Sequence, residues 1–362
     1  MATVFLTGFP GFLGSELVRR ILARDRSTRV VCLVQAKFAG VAGERANAIE
    51  AEDTGFSGRI RLVEGDITRP DLGLDDAGKI AREMTQIFHL AAVYDLHVQR
   101  AVGVKVNVDG TRNVLDFAER SKRLERFQYI STCYVSGRWP GIFREADLEK
   151  GQKFNNFYEE TKYLAEIEVR RRGEAGLPFT TYRPGIVVGD SRSGETQKYD
   201  GPYFITRWLL KQPSVAVLPV PLGAGNYRVN LVPRDFVVGA IDALAAWPGS
   251  AGITYQLADP DPPTIDETIT LMGEATGRAI VRTPLPLSVA KAAIDWVPGV
   301  ERLMGIPSNA IDYFAHPTFY DTTNATRDLA TLGIRCPRLA DFFHLLVDFQ
   351  KRHPEISSAA MV

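Results

Sequence analysis

Short apolar runs closed by glycine or a small polar residue, and separated by stretches of helical periodicity, recur through the first half of the chain. Thr3 to Leu6 reads as a buried strand, and Thr7-Gly8-Phe9-Pro10-Gly11-Phe12-Leu13-Gly14 follows it directly, opening an amphipathic helix from Ser15 to Ala23. Arg29 to Val34 is the second strand, and the runs Arg61 to Ile67 and Gln86 to Ala92 supply a third and a fourth. The helical pattern Val114, Leu115, Phe117, Ala118 leads into a fifth strand, Arg126 to Ile130. Residues 138 to 157 read as an irregular loop, Tyr158 to about Arg172 as a helix, and Phe179 to Arg183 as another strand. Strands apolar along their whole length are those buried on both faces. Their alternation with helices predicts the α/β class, a Rossmann-type doubly wound parallel sheet.

After Asp190 the alternation breaks. The expected organisation is a dinucleotide-binding domain over 1–190 with a return segment near 228–250, where Asn230 to Pro233 reads as a short strand leading into a helix. Residues 191–227 and 251–362 are then a smaller, mostly helical substrate-binding cap. Phe204, Ile205, Trp208, Leu209 and Leu210 form one apolar helical face. Ile294, Trp296, Val297, Leu303, Met304, Ile306, Phe314, Phe319 and Tyr320 either shelter an apolar substrate or form the cap's own core.

Composition narrows the function classes. The 362 residues carry 43 basic and 43 acidic side chains, so no electrostatic hold on nucleic acid or on an anionic membrane is expected. Cys32, Cys133 and Cys336 are an odd, widely spaced set without a CxxC arrangement, which points to a reducing, cytoplasmic compartment. The opening run is too short for a signal peptide, and no stretch approaches the length of a membrane span. The 5 histidines show no HxH or HExxH spacing, so no metal is expected.

Candidate chemistry lies where strands end. Glycines at 8, 11 and 14 between a strand and a helix serve a tight turn and the close approach of backbone N–H groups to a pyrophosphate. Gln35, followed by Lys37, stands where an NAD-preferring chain places an acid on the ribose, so NADP(H) is preferred and NAD(H) is the alternative. Cofactor contacts are expected from Thr7, Gly8, Gly11, Phe12, Leu13, Gly14, Gln35, Lys37, Asp66, Ile67, Ala91, Ala92, Asn107, Pro184 and Val187. His89 reads as a strand residue rather than a base, and Cys133 as a packed thiol. Thr132 places a hydroxyl at the end of the fifth strand. On a helix, Tyr158 and Lys162 share one face a turn apart, where an ammonium is expected to bring a phenol toward its working range. These groups suit proton transfer to a carbonyl that gains a hydride.

Thr7-Gly8-x-x-Gly11-x-x-Gly14, Asp66, Thr132, Tyr158-x-x-x-Lys162 and Arg183-Pro184 together resemble the extended short-chain dehydrogenase/reductases. Within them, Cys32-Leu33-Val34, Ser131-Thr132-x-Tyr134, Lys162-x-x-x-Glu166, Arg183-Pro184-Gly185-Ile186-Val187-x-Gly189 and Val232-Pro233-x-Asp235 resemble the male-sterility branch, which includes fatty acyl-CoA reductases and thioester reductase domains of carboxylic acid reductases. The likeness spans roughly residues 1–250, and His316-Pro317-x-Phe319-Tyr320-Asp321 is similar to bacterial fatty acyl reductases. The resemblance implies Tyr158 as proton donor, Lys162 as its activator and a ribose ligand, and Thr132 as the hydroxyl that orients the carbonyl. Thioester reductases tend to carry an Arg where this chain has Gln35. The implied activity is NADPH-dependent reduction of an acyl thioester, free or on a separate carrier, or of a fatty aldehyde. The alternatives are another carbonyl reductase of the group, a nucleotide-sugar epimerase, or a non-catalytic NADP-sensing regulator. Chain length of the substrate and oligomeric state are left open.

Overall fold

The computed structural model describes residues 2–94, 98–286, 288, 289, 292 and 312–357. In chain order its strands are β1 (Thr3–Thr7), β2 (Arg29–Val34), β3 (Ile60–Glu64), β4 (Gln86–His89), β5 (Arg126–Ile130), β6 (Gly141–Phe143) and β7 (Phe179–Pro184). There follow β8 (Ile186–Val188), β9 (Val215–Pro221), β10 (Leu231–Pro233), β11 (Thr254–Leu257), β12 (Ala279–Leu285) and β13 (Thr318–Tyr320). Seven of them make one sheet in the order β11-β7-β5-β4-β1-β2-β3, and every neighbouring pair is parallel. The chain builds outward from β1 in one direction through β2 and β3, then returns to add β4, β5, β7 and β11 on the other side. The reversal falls between β1 and β4, and the crevice beyond the carboxyl ends of those two strands is where such sheets bind ligands.

Both faces of the sheet are buried because consecutive strand residues point opposite ways. Val4, Leu6, Val30, Cys32 and Val34 pack against Leu17, Val18, Ile21 and Leu22 of the helix Phe12–Arg24 and against Phe236, Val237, Ile241 and Leu244 of the helix Arg234–Ala246. On the other face Phe5, Val31, Leu33, Phe127 and Tyr129 meet Val114, Leu115 and Phe117 of the helix Gly110–Glu119 and Ala165 and Val169 of the helix Phe157–Glu174. Each fully buried Leu, Val or Phe contributes about 1.5–3 kcal/mol. A second cluster unites the helices Pro202–Leu210, Ile265–Thr276 and Leu339–Arg352 with the ribbon β9–β12, through Tyr203, Leu209, Leu218, Ile269, Phe342 and Leu346.

The strands end earlier than the apolar runs suggest, leaving Gly65 to Ile67 and Leu90 to Ala92 beyond β3 and β4 as loop. The stretch 138–157, expected to be irregular, contains β6, which pairs in parallel with β13 and so brings the tail segment to the sheet's carboxyl edge. β11 lies within the stretch 251–362 allotted to the cap, yet it is an edge strand of the main sheet. Ala325 and Leu329 of the helix Thr323–Thr331 likewise pack on that sheet. Ile294, Trp296, Val297, Leu303, Met304 and Ile306 lie outside the described residues. Among the described residues no helix is long and apolar enough to cross a membrane.

One buried ion pair locks the helix Phe157–Glu174 to β7. Arg183 donates to Glu166 at 2.6 Å with both side chains fully buried, and Ser131 Oγ donates to the second carboxylate oxygen at 2.6 Å. Arg183 also donates to the Asp147 carbonyl oxygen at 2.7 Å, which anchors the long loop. Removing one member leaves the other charge buried without its counter-ion. Glu166→Gln is therefore expected to lower the unfolding free energy by about 3–5 kcal/mol. Arg120→Ala, at the exposed pair with Asp71, is expected to cost about 0.2–1 kcal/mol. Urea unfolding of both variants at neutral pH measures the difference.

Candidate active site

The glycine loop leaves β1 at Thr7. Gly8 has φ +94, and a Cβ there would lie 2.9 Å from Leu90 Cβ and 3.0 Å from the Ala91 nitrogen, so only glycine lets β1 turn against the end of β4. A Cβ on Gly11 or Gly14 would lie 2.8 or 2.5 Å from the Gly8 carbonyl oxygen. The helix Phe12–Arg24 then starts with no side-chain cap and no acid in its first turn. Its leading N–H groups and the positive end of its dipole face the crevice edge without a side-chain acceptor, which fits an incoming anionic pyrophosphate.

Further along the same edge, Asp66 accepts from Thr68 N at 2.8 Å and from the Gln35 side chain. Burial works against its charge, but these bonds and the nearby Arg69 outweigh it and hold the carboxyl below its usual range. Gln35 is thus engaged with Asp66. Lys37 is exposed, with its ammonium 4.9 Å from the Phe38 ring centroid. Ile67 is buried over Gly110, and its carbonyl oxygen accepts from Asn113. Ala91 N donates to Thr7 Oγ1 at 3.1 Å. Pro184 closes β7, and Val187 of β8 pairs with Val232 of β10.

Thr132 lies just beyond β5 and caps the short turn Cys133–Ser136, its hydroxyl oxygen accepting from Tyr134 N at 3.2 Å. Asn156 caps the helix Phe157–Glu174 by accepting from Glu159 N, and this start sets the Tyr158 hydroxyl beside Thr132. Both side chains are nearly enclosed, at 9% and 6% exposure. Burial raises the Tyr158 phenol far above its ordinary value, with Thr132 opposing and Glu159 adding to the rise.

Lys162 is anchored by the end of β5. Its ammonium donates to the Ile130 carbonyl oxygen at 2.8 Å and to the Tyr129 hydroxyl at 3.1 Å, and Lys162 is not among the groups that shift Tyr158. Burial pushes the ammonium down to about 7, while the charge of Glu166 opposes the fall. Burial thus moves the two groups oppositely, the Tyr158 phenol up and the Lys162 ammonium down.

Other groups around the pair carry no spacing signal, because they come from distant segments. Tyr94 presents its edge to Tyr158 at 4.9 Å between centroids. Tyr134 receives Tyr313 at 4.8 Å and His316 at 5.1 Å, and His316 Nε2 is 2.8 Å from the Tyr320 hydroxyl. Tyr313 hydrogen-bonds Asn156 and Glu159. Asn107 sits in a π-helical turn, Val104–Asp109, accepting from Val93 N at 2.8 Å and donating to Thr161 at 2.9 Å. His89 is buried with both ring nitrogens engaged, and burial with the Lys162 charge pushes it down to about 3. The Cys133 thiol donates to the Arg183 carbonyl oxygen at 3.0 Å, and burial raises it beyond ordinary reactivity. Among the described residues no three or more His, Cys, Asp or Glu gather as a metal site would require.

Residues 6–241 match the family described as Male sterility protein. Glycine betaine reductase of Emericella nidulans is 30% identical over 276 residues, covering 72% of this chain and 21% of that protein. The L-2-aminoadipate reductase large subunit of Penicillium chrysogenum is 29% identical over 272 residues, covering 69% and 19%. The chain therefore spans about a fifth of these curated relatives. The terminal R domain from the myxalamid PKS-NRPS biosynthetic pathway superposes with a TM-score of 0.81 at 27% identity, covering 98% of this chain and 91% of that one. A thiolation-reductase di-domain from an archaeal non-ribosomal peptide synthetase shares the fold with a TM-score of 0.75 at 19% identity, covering 98% and 76%. With a parallel sheet, a glycine loop at its switch point and a matched family over most of its length, the chain belongs to the male sterility family of extended short-chain dehydrogenase/reductases and is an NAD(P)-binding oxidoreductase.

Proposed function

We propose that the chain reduces the carbonyl of an acyl thioester or of an aldehyde with NADPH, releasing aldehyde, alcohol or both. The observation that carries this reading is the enclosed Tyr158–Thr132 hydroxyl pair, with Lys162 one turn away, at the same carboxyl edge of the sheet as the glycine loop. Thr7, Gly8, Gly11, Phe12, Leu13 and Gly14 would hold the pyrophosphate. Gln35, Lys37, Asp66 and Ile67 would face the adenosine end, and Ala91, Ala92, Asn107, Lys162, Pro184 and Val187 the remainder. The bound nicotinamide supplies the hydride.

The chain's own residues supply the rest. Thr132 holds the substrate oxygen, and Tyr158 gives it a proton as negative charge develops; hydroxyls preset in a water-poor site act with little reorganisation. A phenol kept protonated by burial is the form that a reduction requires. The neighbours Tyr94, Tyr134 and Tyr313 offer aromatic faces to the acyl group. The archaeal neighbour pairs a thiolation domain with its reductase, and a thioester delivered on a separate carrier fits the same arrangement here.

Tyr158→Phe removes the donor, and a loss of about 10²-fold or more in turnover is expected when NADPH oxidation is followed with long-chain acyl-CoAs and aldehydes. Undiminished turnover removes Tyr158 from the mechanism, and turnover without net NADPH consumption favours the epimerase. The pH profile follows from Lys162. Because kcat/KM reports the free enzyme, it is expected to fall as pH rises past about 7, where the lysine loses its charge, while the phenol does not titrate in the accessible range. Lys37→Ala is expected to narrow the preference for NADPH over NADH by roughly tenfold, as loss of one cation beside a 2′-phosphate does. Equal kinetics with the two nucleotides before and after the change would exclude Lys37 from cofactor choice.

A further inference from the structure

Behind the hydroxyl pair runs a chain of hydrogen bonds that the proton transfer does not use. Thr7, His89, Asn107, Thr111 and Tyr129 are each at most 1% exposed. The Thr111 hydroxyl donates to the Asn107 carbonyl oxygen at 2.6 Å. Its one hydrogen is thereby committed. Thr111 Oγ1 can then only accept, which it does from His89 Nε2 at 2.9 Å. With Nε2 carrying the proton of a neutral imidazole, Nδ1 is bare and accepts from the Thr7 hydroxyl at 2.8 Å. Thr7 Oγ1 accepts in turn from Ala91 N at 3.1 Å. Beside this chain the Tyr129 ring packs against the His89 ring, 5.8 Å between centroids, and its hydroxyl oxygen accepts from Lys162 Nζ at 3.1 Å. Every hydrogen in the chain has an acceptor under this polarity. Under the reverse one, Thr111 would need two hydrogens.

We propose that Tyr129 is a positioning residue for Lys162, its hydroxyl oxygen accepting from the ammonium while its ring rests against the neutral, Nε2–H imidazole of His89. The inference rests on the assignment of Lys162 under the proposed function. An ammonium on a flexible four-carbon stem has three donors. Tyr129 and Ile130 take two from fixed backbone and ring positions, which leaves the third for a ligand in the crevice. The Tyr129 ring, with its centroid 4.5 Å from Nζ, adds a face attractive to the cation. The other charged and titratable groups around Lys162 are Glu166 on its own helix, ion-paired to Arg183 of β7 and Arg170, with Tyr158 a turn earlier and His89 on β4. A second proton on His89 would add a like charge and break the bond from Thr7. The neutral ring is therefore part of the device.

Tyr129→Phe removes only the oxygen, and Tyr182→Phe removes a comparable buried hydroxyl, bonded to Gln128 at 2.8 Å, with no path to Lys162. In Tyr129→Phe the falling limb of the kcat/KM profile is expected to move about one unit toward lower pH, because the charged lysine has lost an acceptor. Tyr182→Phe should leave that limb in place. In the protein without nucleotide, the destabilisation by Tyr129→Phe in urea should be larger below the lysine's titration than above it, and this pH dependence should vanish in a Lys162→Met background. An unmoved limb with a pH-independent destabilisation overturns the proposal and leaves Tyr129 a packing residue. If Lys162→Met keeps full activity, the functional assignment of the lysine fails instead, while the nucleotide-free unfolding data still decide whether Tyr129 holds it.

Discussion

An ammonium buried at the end of a parallel strand loses several kcal/mol of hydration, and acceptors of fixed geometry must replace it. The carboxyl edge of β5 meets this requirement for Lys162 with a main-chain carbonyl and a phenol oxygen. The consequences spread along one helix. Tyr158, Lys162 and Glu166 follow one another at spacings of four and share a face of the helix Phe157–Glu174. Glu166 is anchored through Arg183 in β7, and Lys162 reaches into β5, so the helix is pinned to two adjacent strands at points a turn apart. With those two anchors set, the first turn can only lay Tyr158 against Thr132. The placement of the hydroxyl pair is thus inherited from the burial of two charges.

The same enclosure decides the electrostatics. A desolvated phenol is a weak acid, and a desolvated ammonium gives up its proton more readily. Burial moves the two groups in opposite senses, and what separates them is the partner each has found. Tyr158 has another neutral hydroxyl, while Lys162 has Glu166 close enough to soften the penalty. A carboxylate shared among Arg183, Arg170 and Ser131 cannot be drawn fully toward the lysine. Lys162 is left near its titration point, poised to respond to an anionic ligand or to a change in its acceptors.

Much of the scaffold was legible from residues alone. Apolar runs that do not alternate mark doubly buried strands, and Arg29 to Val34 and Arg126 to Ile130 are strands over the lengths their patterns suggest. The glycine loop was legible because a Cβ at Gly8 would lie only 2.9–3.0 Å from Leu90 and Ala91, so no side chain is tolerated there. Which neighbour Lys162 would choose was not. Helical spacing places Tyr158 and Lys162 on one face, but the acceptors that win come from β5, and nothing local shows that Tyr129 points toward the helix. Three-residue strands such as β6 and β13 are too short to carry a period, and their pairing joins Gly141 to Thr318 across the chain. β11 was hidden for a related reason: four residues, Thr254–Leu257, amid turn-rich sequence do not announce membership of a sheet whose other strands lie before residue 190.

That long-range pairing has a structural effect at the carboxyl edge of the sheet. By bringing β13 beside β6, it delivers Tyr313, His316 and Tyr320 to the ring of Tyr134. Tyr134 is itself bound through its N–H to the Thr132 hydroxyl oxygen. Tyr313 meanwhile reaches Asn156 and Glu159, the cap and the first turn of the helix that carries Tyr158. Glu159 is fully enclosed, and burial pushes its carboxyl up to about 7 despite hydrogen bonds from Asn155 and Tyr313. A single tail segment thus touches the partner of the Thr132 hydroxyl and the start of the helix that carries Tyr158. Displacing it would disturb both at once, so the aromatic wall and the hydroxyl pair form one mechanical unit.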